Sequence, residues 1–227
     1  MNLPLPSLLP VAWARFGFVA ALALLLGGCA VLSGLPGAPD RTPLFQAKNF
    51  SGEATMPAAV RRVVVLPVSG GGVVGQEVVA TLDPVVRTAL QEQTRFEVVA
   101  LTREECRARF GAPDFSSAAA LPADFLGRVA HAFAADAVLF VDLTVYDPYG
   151  PLQVGFRAKL AAVEDVRLIW SYDEKISTAD PAVESSLRRI YHAPGATPVD
   201  LSTAYLQSPL RFASYAAQVM FQTLPPR

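Results

Sequence analysis

Hydrophobic residues along the chain follow two spacings, and the change from one to the other predicts the elements of one domain. Short runs rich in Val, Ile and Leu predict buried strands, and stripes with a three- to four-residue spacing predict amphipathic helices. In chain order the predicted elements are strand 61–68, helix 83–90, strand 96–101, helix 102–111, helix 122–135, strands 137–146, 153–163 and 168–176, and helix 208–224. The order β-α-β-α-α-β-β-β-α predicts an α/β fold with helices packed on a mixed β-sheet.

Local signals place several element ends. Asp83-Pro84 suits an N-cap and first helical residue, although apolar positions over 78–82 extend the stripe backward, so the alternative is an earlier start with a bend at Pro84. Thr102 to Glu105 forms a capping-box pattern, and Ser208-Pro209 begins the last helix. Strand 153–163 alternates apolar and polar residues, which predicts one face in water.

The first 28 residues carry a separate signal. Arg15 precedes an apolar stretch over 16–26, and small residues follow, which is the order of a secretory signal peptide. Leu26-Gly27-Gly28-Cys29 resembles the bacterial lipobox, so the resemblance implies cleavage before Cys29 and diacylglycerol on its sulfur. The alternative is an uncleaved transmembrane helix over 8–32, but Pro10, the glycine pair and the placing of the cysteine favour the lipoprotein.

These signals divide the chain into three parts. Residues 1–28 are predicted to be the signal peptide, 29–58 the lipidated cysteine and a flexible tether rich in Pro, Gly, Ser and Thr, and 59–227 a periplasmic α/β domain. Ala30 follows the cysteine. Because an Asp there would favour inner-membrane retention in Gram-negative lipoproteins, the resemblance implies a location in the cell envelope at the periplasmic face of the outer membrane.

Charge and cysteine content narrow the classes of partner. The chain has 19 basic and 20 acidic residues, and only Arg15 lies in the signal peptide, so the mature part carries 18 and 20. This balance over the whole mature part gives no electrostatic reason to expect nucleic acid or strongly anionic lipid as a partner. Cys106 has no partner for an intramolecular disulfide once Cys29 is lipidated, and we interpret it as a packed, unreactive thiol.

Motifs for chemistry are weak. Gly70 to Gly75 fits G-x-G-x-x-G after a strand, but the second strand ends without the acidic residue of a dinucleotide site, so a mobile glycine loop is favoured. His131 and His192 lack metal-ligand spacing. Asp142 is expected to face solvent or cap a loop. The sequence therefore predicts no cofactor, no metal and no catalysis.

The predicted partner site is the loop joining strands 137–146 and 153–163. Its residues Tyr146, Pro148, Tyr149 and Leu152 combine aromatic contact area with prolines that lower the entropy lost on docking. The alternative is a rigid turn whose tyrosines cover the sheet edge. A second candidate is the segment 187–192, which fits a short surface helix equally well.

Residues 61–177 resemble a known family, the periplasmic α/β domain of the curli-secretion lipoprotein CsgG, the penicillin-binding-protein activator LpoB and their lipoprotein relatives. The matching segments are 63–68, 94–99, 130–141 and 159–171. The resemblance implies a non-catalytic envelope lipoprotein that acts through protein contacts. A pore is disfavoured because the one long insertion, 178–207, has three prolines and little of the alternation that a transmembrane hairpin needs.

Three functional hypotheses follow. The leading one is a lipid-anchored factor that binds or assembles envelope proteins, with an oligomeric state that the sequence leaves open. The alternative is a ligand-binding auxiliary subunit of an envelope transporter. A third, a hydrolase, requires His131 or His192 beside a nucleophile in the folded chain.

Overall fold

The computed structural model of the chain describes residues 42–191 and 201–227. Six strands form one sheet: β1 (Phe50–Gly52), β2 (Arg62–Val65), β3 (Glu97–Ala100), β4 (Ala137–Asp147), β5 (Gln153–Ala162) and β6 (Leu168–Ser177). Their order across the sheet is β1-β6-β5-β4-β2-β3. Strand β2 runs parallel to β3 and β4, and the pairs β4–β5, β5–β6 and β6–β1 are antiparallel. The predicted α/β fold with a mixed sheet is confirmed.

Six helices are described on this sheet: α1 (Gln76–Gln91), α2 (Arg103–Phe110), α3 (Phe125–Phe133), α4 (Pro181–Tyr191), α5 (Leu201–Gln207) and α6 (Pro209–Gln222). The capping box at the start of α2 is confirmed, since the side chains of Thr102 and Glu105 each accept a hydrogen bond from the other residue's backbone N–H. Gly111 ends the helix in the left-handed conformation, with a φ of 89°. The Ser208 hydroxyl accepts a hydrogen bond from the Arg211 N–H, as expected for the N-cap of α6.

Two apolar cores lie on opposite faces of the sheet. The larger core contains α1, α4 and α6 against the alternating apolar residues of β4, β5 and β6, and Trp170, Phe212 and Phe221 are fully buried in it. The smaller core packs α2 and α3 on β2, β3 and β4, around Phe125 and Phe140. Among the described residues, no helix contributes to a core on the second face of β5, β6 and β1.

Residues 224–227 bind the segment that enters the domain. The Met56 N–H donates to the Pro226 carbonyl at 2.7 Å, and the Arg227 guanidinium donates to the carbonyls of Val60 and Arg95 at 2.6 and 2.5 Å. The Arg95 guanidinium in turn donates to the carbonyls of residues 224 and 225. These contacts form a clamp between residues far apart in sequence.

Part of the predicted tether belongs to the domain. Ser51 pairs with Ser171 in the β1–β6 ladder, and Met56 is 5% exposed. The prediction that residues 42–58 form a tether is therefore wrong, because this segment completes the sheet and the larger core. The predicted signal peptide 1–28, Cys29 and the tether residues 30–41 lie outside the described residues.

Two further differences concern helices. Helix α1 begins at Gln76 with Gly75 as N-cap, so the earlier start is confirmed and the N-cap placed at Asp83 is wrong. The insertion 178–207 contains α4 and α5. The sequence analysis offered a helix there only as the alternative for 187–192, and residues 187–191 do lie in α4. In the part of the chain that the structure describes, no helix has the length and apolar character to cross a membrane.

Candidate functional site

The loop between β4 and β5 presents one exposed aromatic side chain. The Asp147 carboxylate accepts a hydrogen bond from the Tyr149 N–H at 3.0 Å, and the Leu152 carbonyl accepts one from the Thr178 N–H at 3.0 Å. Both ends of the loop are thus held, and Tyr149 between them is 79% exposed. Pro148 beside it is also exposed. An aromatic ring held out on a fixed loop can fill a partner's pocket with little loss of entropy.

The four predicted partner residues do not share one surface. Leu152 is 3% exposed and belongs to the larger core, so its predicted contact with a partner is wrong. Leu152 directly precedes β5 and continues its alternation of buried and exposed positions. Its side chain therefore lies on the same face as Val154 and points into the core. Tyr146 is half-buried against the same core, and burial raises the pKa of its hydroxyl. Of the four, Pro148 and Tyr149 are the exposed residues.

The face of β5 and β6 opposite the larger core forms a second candidate site, here called the polar cleft. It has a volume of about 350 Å³ and is lined by Arg157, Lys159, Ser171 and Asp173, with Phe50 of β1 at its edge. Arg157 donates to Asp173 at 2.7 Å, and both side chains remain partly exposed. The cleft can hold a polar group of either charge.

Asp142 fixes the wall of the polar cleft. Its carboxylate is 5% exposed and accepts the Ser117 N–H at 3.1 Å and the Ser117 hydroxyl at 2.5 Å. Lys159 donates to the Ser117 carbonyl at 2.8 Å. Of the two expectations for Asp142, facing solvent is wrong and capping a loop is confirmed. A buried carboxylate satisfied in this way positions the loop around Ser117.

The sequence analysis missed the polar cleft as a site. The alternation of β5 placed Arg157 and Lys159 on a wet face, which is confirmed. The other walls come from β1 and from the loop around Ala118, both distant in sequence, and no local pattern indicated that they would meet there.

The backbone conformation of the loop 70–75 explains two of its glycines. The loop follows β2 and leads directly into α1, with φ of 52° at Gly71 and 83° at Gly72. Beyond the loop, β3 ends at Ala100 and α2 begins after Thr102, so no acidic side chain stands where a ribose would be bound. The backbone conformation accounts for Gly71 and Gly72 without a nucleotide.

The remaining reactive groups are dispersed. Cys106 is 0% exposed, and burial raises its pKa to about 11, so it is the packed thiol that was expected. His131 is exposed on α3, and His192 lies outside the described residues. No group of three or more His, Cys, Asp or Glu side chains with metal-binding geometry occurs in residues 42–191 or 201–227. Leu187, in the second partner candidate, is fully buried in α4.

The class that this architecture defines is an α/β domain with a six-stranded mixed sheet. Comparison with solved structures finds similar chains at low identity, with TM-scores of 0.45 or less. The PelC dodecamer from Paraburkholderia phytofirmans is 14% identical over 78% of this chain and 95% of that chain, with a TM-score of 0.45. Lipoprotein GNA1162 from Neisseria meningitidis is 18% identical over 59% and 99%, with a TM-score of 0.39. The LpoB C-terminal domain from Salmonella enterica is 15% identical over 52% and 82%, with a TM-score of 0.35.

These similarities concern the fold alone. LpoB is named in the family that the sequence resembles, and its C-terminal domain is among the similar structures. No protein-family model matches the chain, and no curated protein sequence matches it.

Proposed function

We propose that the chain is an envelope lipoprotein, cleaved before Cys29 and anchored by lipid on that cysteine, whose α/β domain binds or assembles other envelope proteins without catalysis. The lipobox resemblance over 26–29 supports the anchor. Its place is the periplasmic face of the outer membrane. The observation that carries the binding role is the exposed Tyr149 on a loop whose two ends are hydrogen-bonded.

Anchoring is tested by exchanging each cysteine. Cys29→Ala should abolish incorporation of labelled palmitate and leave uncleaved precursor, because the sulfur that receives the lipid is lost. Cys106→Ala is the matched control and should keep both label and cleavage, since that thiol is buried. Labelling of the Cys29→Ala chain at the level of the natural chain would refute the anchor.

Partner binding is tested by crosslinking in cells. A photoreactive residue at position 149 should yield a discrete adduct with another envelope protein, identified by mass spectrometry. The same residue at position 121, where Leu121 is 37% exposed on another loop, is the control. With the crosslinker moved to Pro148, Tyr149→Ala should reduce the adduct about tenfold, the effect of losing a central aromatic contact. An undiminished adduct would remove Tyr149 from the interface.

The polar cleft supports a second candidate, a ligand-binding subunit of an envelope transporter. Arg157, Lys159 and Asp173 converge there on a volume that suits a small polar molecule. A ligand of this kind should raise the melting temperature of the protein, and Arg157→Gln should remove the rise. A screen of polar solutes that leaves the melting temperature unchanged would count against this function.

A further inference from the structure

The chain enters the folded domain along helix α4. The Arg189 guanidinium donates to the Thr42 carbonyl at 2.8 Å, and the Phe45 N–H donates to the Ser186 hydroxyl at 2.7 Å. Two hydrogen bonds therefore fix residues 42–45 beside the helix. Phe45 packs against the larger core, whereas Leu44 between the two bonds is 45% exposed.

The last turn of α4 continues this surface. Ile190 is 57% exposed, and Arg188 and Arg189 beside it are also exposed. Arg188 pairs with Glu184 one turn earlier at 2.6 Å, with both side chains still largely in water. We call Leu44, Arg188, Arg189 and Ile190 the entry face. It combines two exposed aliphatic side chains with two guanidinium groups.

The entry face is also the surface nearest to the anchor along the chain. Residues 30–41 separate Cys29 from Thr42, and thirteen residue steps reach at most about 45 Å even when fully extended. Any other surface requires the chain to cover the additional distance around the domain. A lipid on Cys29 therefore holds this face close to the bilayer more readily than any other.

We propose that the entry face docks directly on the anionic surface of the lipid bilayer. This inference rests on the lipid anchoring proposed above. The guanidinium groups bind lipid phosphates, and Leu44 and Ile190 enter the boundary between headgroups and acyl chains. Arginine is suited to this contact because its planar fork matches phosphate oxygens, and the neighbouring aliphatic side chains gain apolar surroundings.

The experiment places a spin label on the entry face of the lipidated chain. The Ile190→Cys variant is labelled, reconstituted into vesicles of 30% phosphatidylglycerol and 70% phosphatidylethanolamine, and tested for collision with a water-soluble nickel chelate. The Val166→Cys variant is the control, since Val166 is 68% exposed on the β5–β6 turn. Cys106 is buried and does not compete for the label.

We expect the label at position 190 to be protected from the chelate and the label at position 166 to stay accessible. Arg188→Gln should increase access at position 190, because the equilibrium constant for docking should fall about fivefold when this arginine is lost. Arg189 is kept in this comparison, since it also holds residue 42. Circular dichroism melting confirms that these surface variants fold.

The outcomes separate this inference from the anchor. A chain that fails to float with vesicles overturns lipid anchoring and, with it, the docked face. A chain that floats while position 190 stays accessible overturns docking alone. Equal protection on vesicles of pure phosphatidylcholine overturns the anionic basis, and protection found only in native membranes assigns the face to a protein partner instead.

Discussion

Gly70 shows how one residue fixes the approach of a helix to the sheet. A Cβ atom added at Gly70 would lie 2.5 Å from the Cγ2 atom of Val79, which is fully buried in α1. Val79 is β-branched and has few alternative rotamers in a helix, so it cannot move aside. A Cβ at Gly75, five residues later, meets no atom within 4 Å.

These two glycines give a matched pair of substitutions. Gly70→Ser should destabilise the domain by about 1–3 kcal/mol, because the added atoms overpack the contact with Val79. Gly75→Ser should be neutral or slightly stabilising, since serine is a preferred N-cap and the position is open. Urea unfolding followed by circular dichroism measures both. Equal stability of the two variants would show that Gly70 is not needed for packing.

At the scale of elements, Arg103 joins α2 to α1 and to the end of β2. Its guanidinium donates to both carboxylate oxygens of Asp83, at 2.7 and 2.9 Å, and to the Val68 carbonyl at 2.6 Å. Asp114 and Gln76 accept two further bonds. Burial raises the pKa of Asp83, and the hydrogen bond from Arg103 opposes that shift. Asp83 was expected to be an N-cap. It instead accepts hydrogen bonds from the Val68 N–H and from Arg103 of α2.

A lysine cannot reproduce this network. Arg103→Lys keeps the charge but loses the fork, so the free energy of unfolding should fall by about 1–3 kcal/mol. Arg107→Lys on the exposed side of the same helix should change it by less than about 0.5 kcal/mol. The midpoints of urea unfolding compare the two variants. A midpoint for Arg103→Lys equal to that of Arg107→Lys would mean that charge alone holds α2 in place.

Elements were predictable where the signal was local. The capping box of α2 and the alternation of β5 both lie within a few residues and were predicted. The start of α4 was also readable, because Asp180-Pro181 has the form of an N-cap and first helical residue, and the Asp180 carboxylate accepts the Ala182 N–H at 2.8 Å. Strand β1 was not predictable, because its three residues become a strand only by pairing with β6.

The candidate site also combines features that local sequence predicts with features that depend on the whole fold. Exposure of Tyr149 follows from the composition of its loop, and the sequence indicated it. The burial of Leu152 depends on the register of β5 against its neighbours, and one residue of difference moves a side chain from one face to the other. The polar cleft depends on four segments brought together by the whole fold.

At the scale of the whole molecule, residues 224–227 stabilise the segment 56–60, by which the chain enters the domain. A chain ending at Leu224 loses four hydrogen bonds, which are those that Met56 donates to Pro226, that Arg95 donates to residue 225, and that Arg227 donates to Val60 and Arg95. At about 1 kcal/mol for each bond, the melting temperature should fall by roughly 8–16 °C. Arg227→Ala should give part of this loss. An unchanged melting temperature in a scanning calorimeter would show that the clamp adds nothing.

The clamp also sets how far the domain can reach from its anchor. With residues 42–60 held by β6 and by residues 224–227, only residues 30–41 separate the proposed lipid from the folded body. If that segment were released, the connection would grow to about thirty residues, and its maximal length would more than double. The distance that the anchored domain can reach is therefore determined by contacts with residues 224–227, which lie far from the anchor in sequence.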